Sequence, residues 1–325
     1  MSNTDISSEL IKRIAHQSGY DLVGFAKCTP LEIEIDKLKK WLDADKHASM
    51  SWMSRNMDRR GDPSLILKDC KSVIVVAVNY QQQPNSETEM QPFKDNQLNG
   101  KIASYAINKD YHYTMQKMMK QFCQNVNSSI DRDLQMRWYV DTGPVMEKAW
   151  AQRAGLGFIG KNTCLINRQK GSWFFLGVIL TDIELKPDTP ITQNWCGNCK
   201  ACIDACPTNA LDEIGVLDSN KCISYLTIEH RDEVNDELKP NFDEWLFGCD
   251  ICQEVCPYNI KFAEPSIAPK FEQIMPESLS LDNILTIQSE EEFRIIFKSK
   301  NPLRRAGLSG LQRTAKILKE NAEQE

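Results

Sequence analysis

The chain has 325 residues, with Lys+Arg 39 against Asp+Glu 45 for a formal charge of -6, and it is 41% hydrophobic and 26% charged. Global disorder is excluded by that composition, and the acidic balance argues against indiscriminate nucleic-acid or membrane binding while leaving room for a local basic surface. The start, MSNTDISSELIKRIAHQSGYDL, lacks an apolar signal-peptide core, and no run of about 18 apolar residues occurs, so a cytoplasmic protein without a membrane span is expected.

Helix periodicity and apolar alternation alternate through the first 185 residues. Helices are expected at 5–17, 31–44, 111–127 and 144–154, and strands at 21–26, 72–80, 135–141 and 173–181, an α/β (α+β) pattern. Met115, Met118 and Met119 share one helical face and read as core. The longest interruption, Gln81–Gly100, has almost nothing apolar to bury and is expected to be a mobile segment or surface lid. After Asp188-Thr-Pro the pattern changes to short cysteine-bearing loops, and amphipathic helix returns from about Ser278. Three regions are therefore expected: 1–187, an α/β region; 188–265, a small cysteine-rich domain; and 266–325, a helical C-terminal segment. The stretch from Lys298 to Lys319 carries Lys298, Lys300, Arg304, Arg305, Arg313, Lys316 and Lys319 without an acidic residue.

Twelve cysteines are present, eight of them between Cys196 and Cys256. Cys196-x2-Cys199-x2-Cys202-x3-Cys206-Pro207 matches the ferredoxin run, in which three thiolates hold one 4Fe-4S cluster and the fourth reaches across to a second. Structural zinc more often takes two CxxC pairs with a longer spacer between them. Cys249-x2-Cys252-x3-Cys256-Pro257 supplies the last three positions of a second run, but its first position falls on Leu246, which cannot ligate. Cys222 is the nearest unassigned thiol. Crossed ligation then gives Cys196, Cys199, Cys202 and Cys256 to one cluster, and Cys206, Cys222, Cys249 and Cys252 to the other. Cys28, Cys70, Cys123 and Cys164 are expected to be buried bystanders.

Clusters move single electrons and choose no substrate, so the chemistry is expected in the α/β region. Asp141 closes a strand just before a helix, a candidate acid or base whose plainer reading is a helix cap. Gly155-x-Gly157-x-x-Gly160 has the letters of a dinucleotide fingerprint but follows a helix rather than a strand. A loop approaching a flat ligand is expected there instead, with Lys161 and Asn162 as polar contacts. His16, His47, His112 and His230 stand isolated and read as surface or satisfied core residues.

Taken together, Val140-Asp141-Thr-Gly-Pro-Val-Met-Glu-Lys-Ala-Trp150, Gly157-Phe-Ile-Gly-Lys-Asn162, the run Cys196 to Pro207, Ile228-Glu-His-Arg231 and Phe247-Gly-Cys-Asp-Ile-Cys-Gln-Glu-Val-Cys-Pro257 resemble the epoxyqueuosine reductases, in order over roughly residues 5–315. The resemblance implies an oxidoreductase with a cobalamin-binding α/β domain, a ferredoxin-like domain with two 4Fe-4S clusters and a short helical C-terminal segment. It implies reduction of epoxyqueuosine to queuosine at the wobble position of tRNAs with a GUN anticodon, the last step of queuosine formation. An external low-potential electron donor feeding base-off cobalamin is implied, with Asp141 as proton donor, its pKa raised by burial beside the corrin. Corrinoid contacts carry over onto Arg60, Tyr105, Asp141, Lys161, Asn162 and Ser224, and a monomer is expected. Longer relatives continue into a helical-repeat region, so the basic run 298–319 is read as a phosphate-facing helix. A cobalamin-dependent reductive dehalogenase and a non-catalytic electron-transfer protein are the competing readings.

Overall fold

The computed structural model describes residues 3–81, 98–130, 132–266 and 270–324. Helix α1 (Asn3–Gln17), strand β1 (Leu22–Lys27), α2 (Glu32–Asp43) and α3 (Met57–Gly61) lead into β2 (Ser72–Asn79) and β3 (Asn99–Ile102). Then come α4 (Tyr111–Ser129), β4 (Met136–Tyr139), α5 (Glu147–Arg153), β5 (Phe158–Ile159), β6 (Leu165–Ile166) and β7 (Phe174–Thr181). The cysteine-rich stretch holds α6 (Ala201–Asp204), α7 (Ile223–Ile228), β8 (Trp245–Phe247), α8 (Ile251–Glu254) and α9 (Pro257–Phe262). The chain finishes with β9 (Ser278–Ser280), α10 (Leu281–Leu285), α11 (Glu290–Ile296) and α12 (Gly307–Ala322). The expectation of a mobile segment or lid over Gln81–Gly100 falls mainly on 82–97, which lie outside the described residues; Asn99 and Gly100 begin β3.

The larger sheet has the order β1-β2-β7-β4 and pairs antiparallel throughout, the α+β form of the expected class. Strand β2 reads SVIVVAVN because it is interior and covered on both faces. Ile74, Val76 and Val78 face a core that includes Ile11 and Ile14 of α1 and Met115, Met119 and Phe122 of α4. Val73, Val75 and Ala77 face the opposite core, with Ala149 and Trp150 of α5. The two-residue period of a strand thus supplies two separate cores. Where α4 crosses β7, a Cβ on Gly177 would lie 2.7 Å from the Met119 sulfur, so a larger residue there would require the Met119 side chain to shift.

The smaller sheet has the order β8-β3-β9, parallel between β3 and β8 and antiparallel between β3 and β9. It takes one strand from each region expected along the chain. Ile102, Phe247, Leu279, Phe293 and Leu311 share its core.

Helix α12 differs from the phosphate-facing helix expected for 298–319. Leu308, Leu311, Ala315, Ile317 and Leu318 bury one side of it. Arg313 donates to the carbonyls of Leu226, His230 and Asp232, satisfying the end of α7 and the turn after it, and Lys319 pairs with Asp282 at 2.7 Å. Lys298, Lys300, Arg304 and Arg305 precede the helix in a separate turn.

Candidate active site and iron-sulfur centres

Eight cysteine thiols gather in two groups. Cys196, Cys199, Cys202 and Cys256 line one cavity of about 300 Å³, together with Ile166, Trp195 and Pro257. Phe158, Ile166 and Cys256 form its apolar core. Among the described residues no three His, Cys, Asp or Glu side chains converge as a single metal ion would need; these four thiols share the lining of one cavity. The second group is deeper. Cys222 and Cys249 lie near each other and near Cys206, and Cys252 lies near Cys249 and Cys222. Burial is the main cause raising the thiol pKa values of Cys222 and Cys249. Ligation by iron removes those protons, so the donor sets fit two clusters.

The loop between β5 and β6 binds the two centres together. Lys161 donates to the carbonyls of Gly197 and Cys199 at 2.7 and 2.8 Å, and Asn162 donates to the carbonyl of Cys252 at 3.0 Å. Both side chains are buried, at 7% and 4% exposure, with these polar atoms spent on cluster loops. The glycine pattern before them has a local cause. A Cβ on Gly157 would lie 2.5 Å from the Ile166 carbonyl oxygen, and one on Gly160 would lie 2.4 Å from the Ile166 side chain, so the close approach is to β6 rather than to a flat ligand. Of the expected bystander cysteines, Cys123 is buried, Cys28 and Cys70 meet each other, and Cys164 lies against Cys252.

Asp141 does not cap a helix, since α5 begins six residues later at Glu147 with Met146 before it. It occupies the left-handed region with φ 58°, a conformation Asp tolerates better than most side chains, just beyond the end of β4. Gly143 completes the turn: a Cβ there would lie 2.1 Å from the Tyr139 ring. The Asp141 side chain is 65% accessible yet densely surrounded by protein atoms, as a group lining a cleft is.

His112 stands opposite Asp141. Its Nε2 lies 3.4 Å from Asp141 Oδ2, and its Nδ1 lies 2.7 Å from Asp110 Oδ1. Asp110 is also the N-cap of α4, accepting from the His112 amide, so the helix start fixes the ring. Burial pulls the His112 pKa down, but the two carboxylates outweigh it and raise it to about 9. The contact with His112 is the largest influence on Asp141; with a hydrogen bond from Tyr111 it holds the carboxyl below its ordinary range against the opposing effect of burial. The elevated carboxyl pKa expected at Asp141 appears elsewhere, on Glu147, which burial pushes up to about 7 beside Asp141 and Arg60. Glu147 Oε1 is buried without a hydrogen-bond partner, so the cleft holds polar capacity for a bound group.

The structure brings Arg60 and Tyr105 to this cleft. Arg60 neighbours Glu147 while donating to the carbonyls of Arg55 and Trp52. Tyr105 is near Asp141 and Asp110, and a Cβ on Gly248, adjacent to Cys249, would lie 3.6 Å from its ring. Ser224 lies at the border of the deeper thiol group, its amide directed at Cys222. Arg305 reaches toward Asp141 from the turn before α12 while pairing with Glu229 at 2.8 Å. His112, Glu147 and Arg305 were not singled out by the sequence as members of this site; for His112 the only local signal was the capping Asp110 two residues earlier.

A chain with two four-thiol centres in series beside an acid-lined α+β cleft is a two-cluster iron-sulfur oxidoreductase. Residues 195–259 match the family model described as "4Fe-4S double cluster binding domain", and residues 60–142 match "Epoxyqueuosine reductase QueG, DUF1730". The epoxyqueuosine reductase of Cyclobacterium marinum is 37% identical over 322 residues, covering 99% of this chain and 100% of that protein, and that of Leadbetterella byssophila is 40% identical over 97% of this chain and 99% of its own. The chain therefore belongs to the epoxyqueuosine reductase family, whose cofactors are two 4Fe-4S clusters and cobalamin. Among solved structures, one of epoxyqueuosine reductase with an epoxyqueuosine-modified tRNA-Tyr stem loop superimposes with a TM-score of 0.84 at 28% identity, over 95% of this chain and 80% of that one. The Bacillus subtilis enzyme, solved with its catalytic aspartate loop swung out of the active site, gives 0.82 at 27% identity over 95% and 80%. No described helix is long and apolar enough to cross a membrane.

Proposed function

We propose that this chain reduces epoxyqueuosine in tRNA to queuosine. The observation that carries the reading is the set of parts brought together: an outer thiol group with an exposed cysteine, a deeper thiol group, and Tyr105 near both the backbone beside Cys249 and the accessible Asp141. Two electrons and two protons convert the epoxide to an alkene and release its oxygen as water. Cys196, Cys199, Cys202 and Cys256 would hold the outer 4Fe-4S cluster, and Cys206, Cys222, Cys249 and Cys252 the inner one. Cobalamin, when bound, supplies the carbon-directed two-electron chemistry that clusters passing single electrons cannot.

The chain's own residues handle protons and position. At neutral pH the proton sits on His112 while Asp141 is ionised. Asp141 is the accessible member of the pair, so it takes the proton from His112 and passes it to the departing oxygen, and the second proton comes from solvent. Arg60 and Tyr105 border the group that fills the cleft. Ser224 lines its cluster side, and Lys161 and Asn162 act toward that group by holding the cluster loops in place.

The proposed division of labour gives cobalamin and the reaction to 1–187 and the clusters to 188–265, with 266–325 closing the core that both share. The substrate is a tRNA with a GUN anticodon, the chain works as a cytoplasmic monomer, and an external low-potential donor supplies electrons. Anaerobic reconstitution with iron, sulfide and cobalamin, followed by dithionite-driven assay on epoxyqueuosine-containing tRNA, tests the reading. Queuosine is the expected product; no conversion with both clusters assembled and cobalamin bound would overturn it.

A further inference from the structure

Cys199 is the exposed ligand among the eight cluster cysteines. The rim of the cavity beside it is aromatic and partly uncovered: Trp195 is 36% exposed and Phe262 is 43% exposed. The Tyr258 hydroxyl donates to the Trp195 carbonyl at 3.0 Å, and the Tyr258 and Phe262 rings stand 6.3 Å apart, which ties these side chains into one strip. Cations border the strip. The Arg168 guanidinium lies 3.9 Å from the centre of the Trp195 ring, Lys261 lines the cavity mouth, and Lys200 follows Cys199 directly. All three are exposed, and none forms an ion pair with a described carboxylate. A chain of net charge -6 thus presents positive charge where its outer cluster meets solvent.

We infer that this rim docks a small acidic protein that carries one electron at low potential. The inference rests on the function proposed above and names the partner that feeds it. Charge complementarity selects the partner: a cationic rim on an acidic protein attracts an acidic carrier locally and steers it to one face. The aromatic strip supplies apolar contact at the centre of a small, transient interface, the size class of redox encounters. Substrate tRNA must lie at Asp141, beyond the inner thiol group, so a carrier on the outer rim can deliver electrons while the cleft is filled. In each encounter one electron leaves the carrier, which is oxidised, and reduces the outer cluster by one. No atom is transferred.

The test uses the fully reconstituted chain and a reduced plant-type 2Fe-2S ferredoxin, an acidic one-electron carrier, as probe. Two quantities are read: affinity for the probe at low and high salt, and queuosine formation driven by the probe compared with formation driven by dithionite. For the unaltered chain, salt weakens probe affinity steeply. The double variant Lys200→Glu, Lys261→Glu loses about tenfold or more in probe affinity and probe-driven rate, while its cluster content, dithionite-driven rate and tRNA affinity hold. Lys200→Arg with Lys261→Arg retains the affinity. Salt-independent binding, unchanged affinity in the charge-reversed variant, a loss of tRNA affinity in its place, or self-association of the chain through this rim would each overturn the inference. Failure of dithionite-driven turnover in the unaltered chain would instead strike the proposed function, so the two failures are distinguishable.

Discussion

In the cysteine segment, four thiols fall within the eleven residues Cys196–Cys206, whereas the Asp141 cleft draws on α3, the turn before α4, the start of α4, the end of β4, the start of α5 and the turn before α12. The two regions encode function differently. A cubane fixes its corner spacing, so a short loop that wraps it must repeat that spacing in sequence. A proton-handling site needs only that a few groups meet in space, and the fold can collect them from anywhere. Their electrostatics differ as well: burial raises the Cys222 and Cys249 thiols, whose protons iron would displace, while the cleft pairs a raised His112 with a lowered Asp141.

Breaking the cluster side has the largest expected effect. Cys222→Ala removes the one inner ligand outside the regular runs and leaves the cavity ringed by Cys196, Cys199, Cys202 and Cys256 untouched. Iron analysis and EPR of the reconstituted variant should show the outer cluster alone, with turnover abolished. Two intact clusters in that variant would remove Cys222 from the ligand set.

On the cleft side, His112→Gln keeps a side chain of similar reach but cannot hold the proton. Turnover is expected to drop by about 10²-fold, the scale of a lost acid-base partner. In the unaltered enzyme the rate should decline as pH rises through about 9, where His112 loses its proton, and that limb should vanish in the variant. The sign for stability is the same. The folded-state pKa is raised above the unfolded value near 6.5, so the contribution is complete below about pH 6.5 and is lost as pH climbs through about 9. Thermal denaturation of both proteins should therefore differ most near neutral pH and converge at alkaline pH.

A smaller effect separates folding from substrate binding. Arg313→Ala deprives three carbonyls of a donor and should cost about 1–3 kcal/mol of stability without a specific loss of tRNA affinity. Removing charge at Lys298 and Arg304 should do the reverse, reducing tRNA affinity a few-fold and lowering its salt dependence while melting is unchanged. A tRNA-specific loss in Arg313→Ala would restore α12 as the contact surface.

The sequence carried the grouping of the eight cysteines proposed as ligands, with Leu246 at the position a regular second run would give to a thiol. It also carried the strands and helices around the larger sheet, because β2 and β7 are uninterrupted apolar runs. Strand direction was not legible: an apolar run is the same in parallel and antiparallel pairing, and the antiparallel sheet shows that the left-handed turn, not a parallel-sheet crevice, positions Asp141. His112 was illegible for a related reason. It lies 29 positions before Asp141, and only the packing of α4 against the sheet brings them together. Helix α12 displays its charges in sequence but not their partners, so Arg313 looked free until α7 was seen beneath it.

The most direct measurement is a comparison of Asp141→Asn with the unaltered chain, both reconstituted with iron, sulfide and cobalamin and reduced anaerobically before mixing with epoxyqueuosine-containing tRNA. If the cysteine segment supplies electrons and the cleft handles the proton, the variant keeps both clusters, binds cobalamin and accepts electrons as the unaltered chain does, yet forms almost no queuosine. Queuosine formation by the variant at the unaltered rate would contradict that division and remove Asp141 from the reaction.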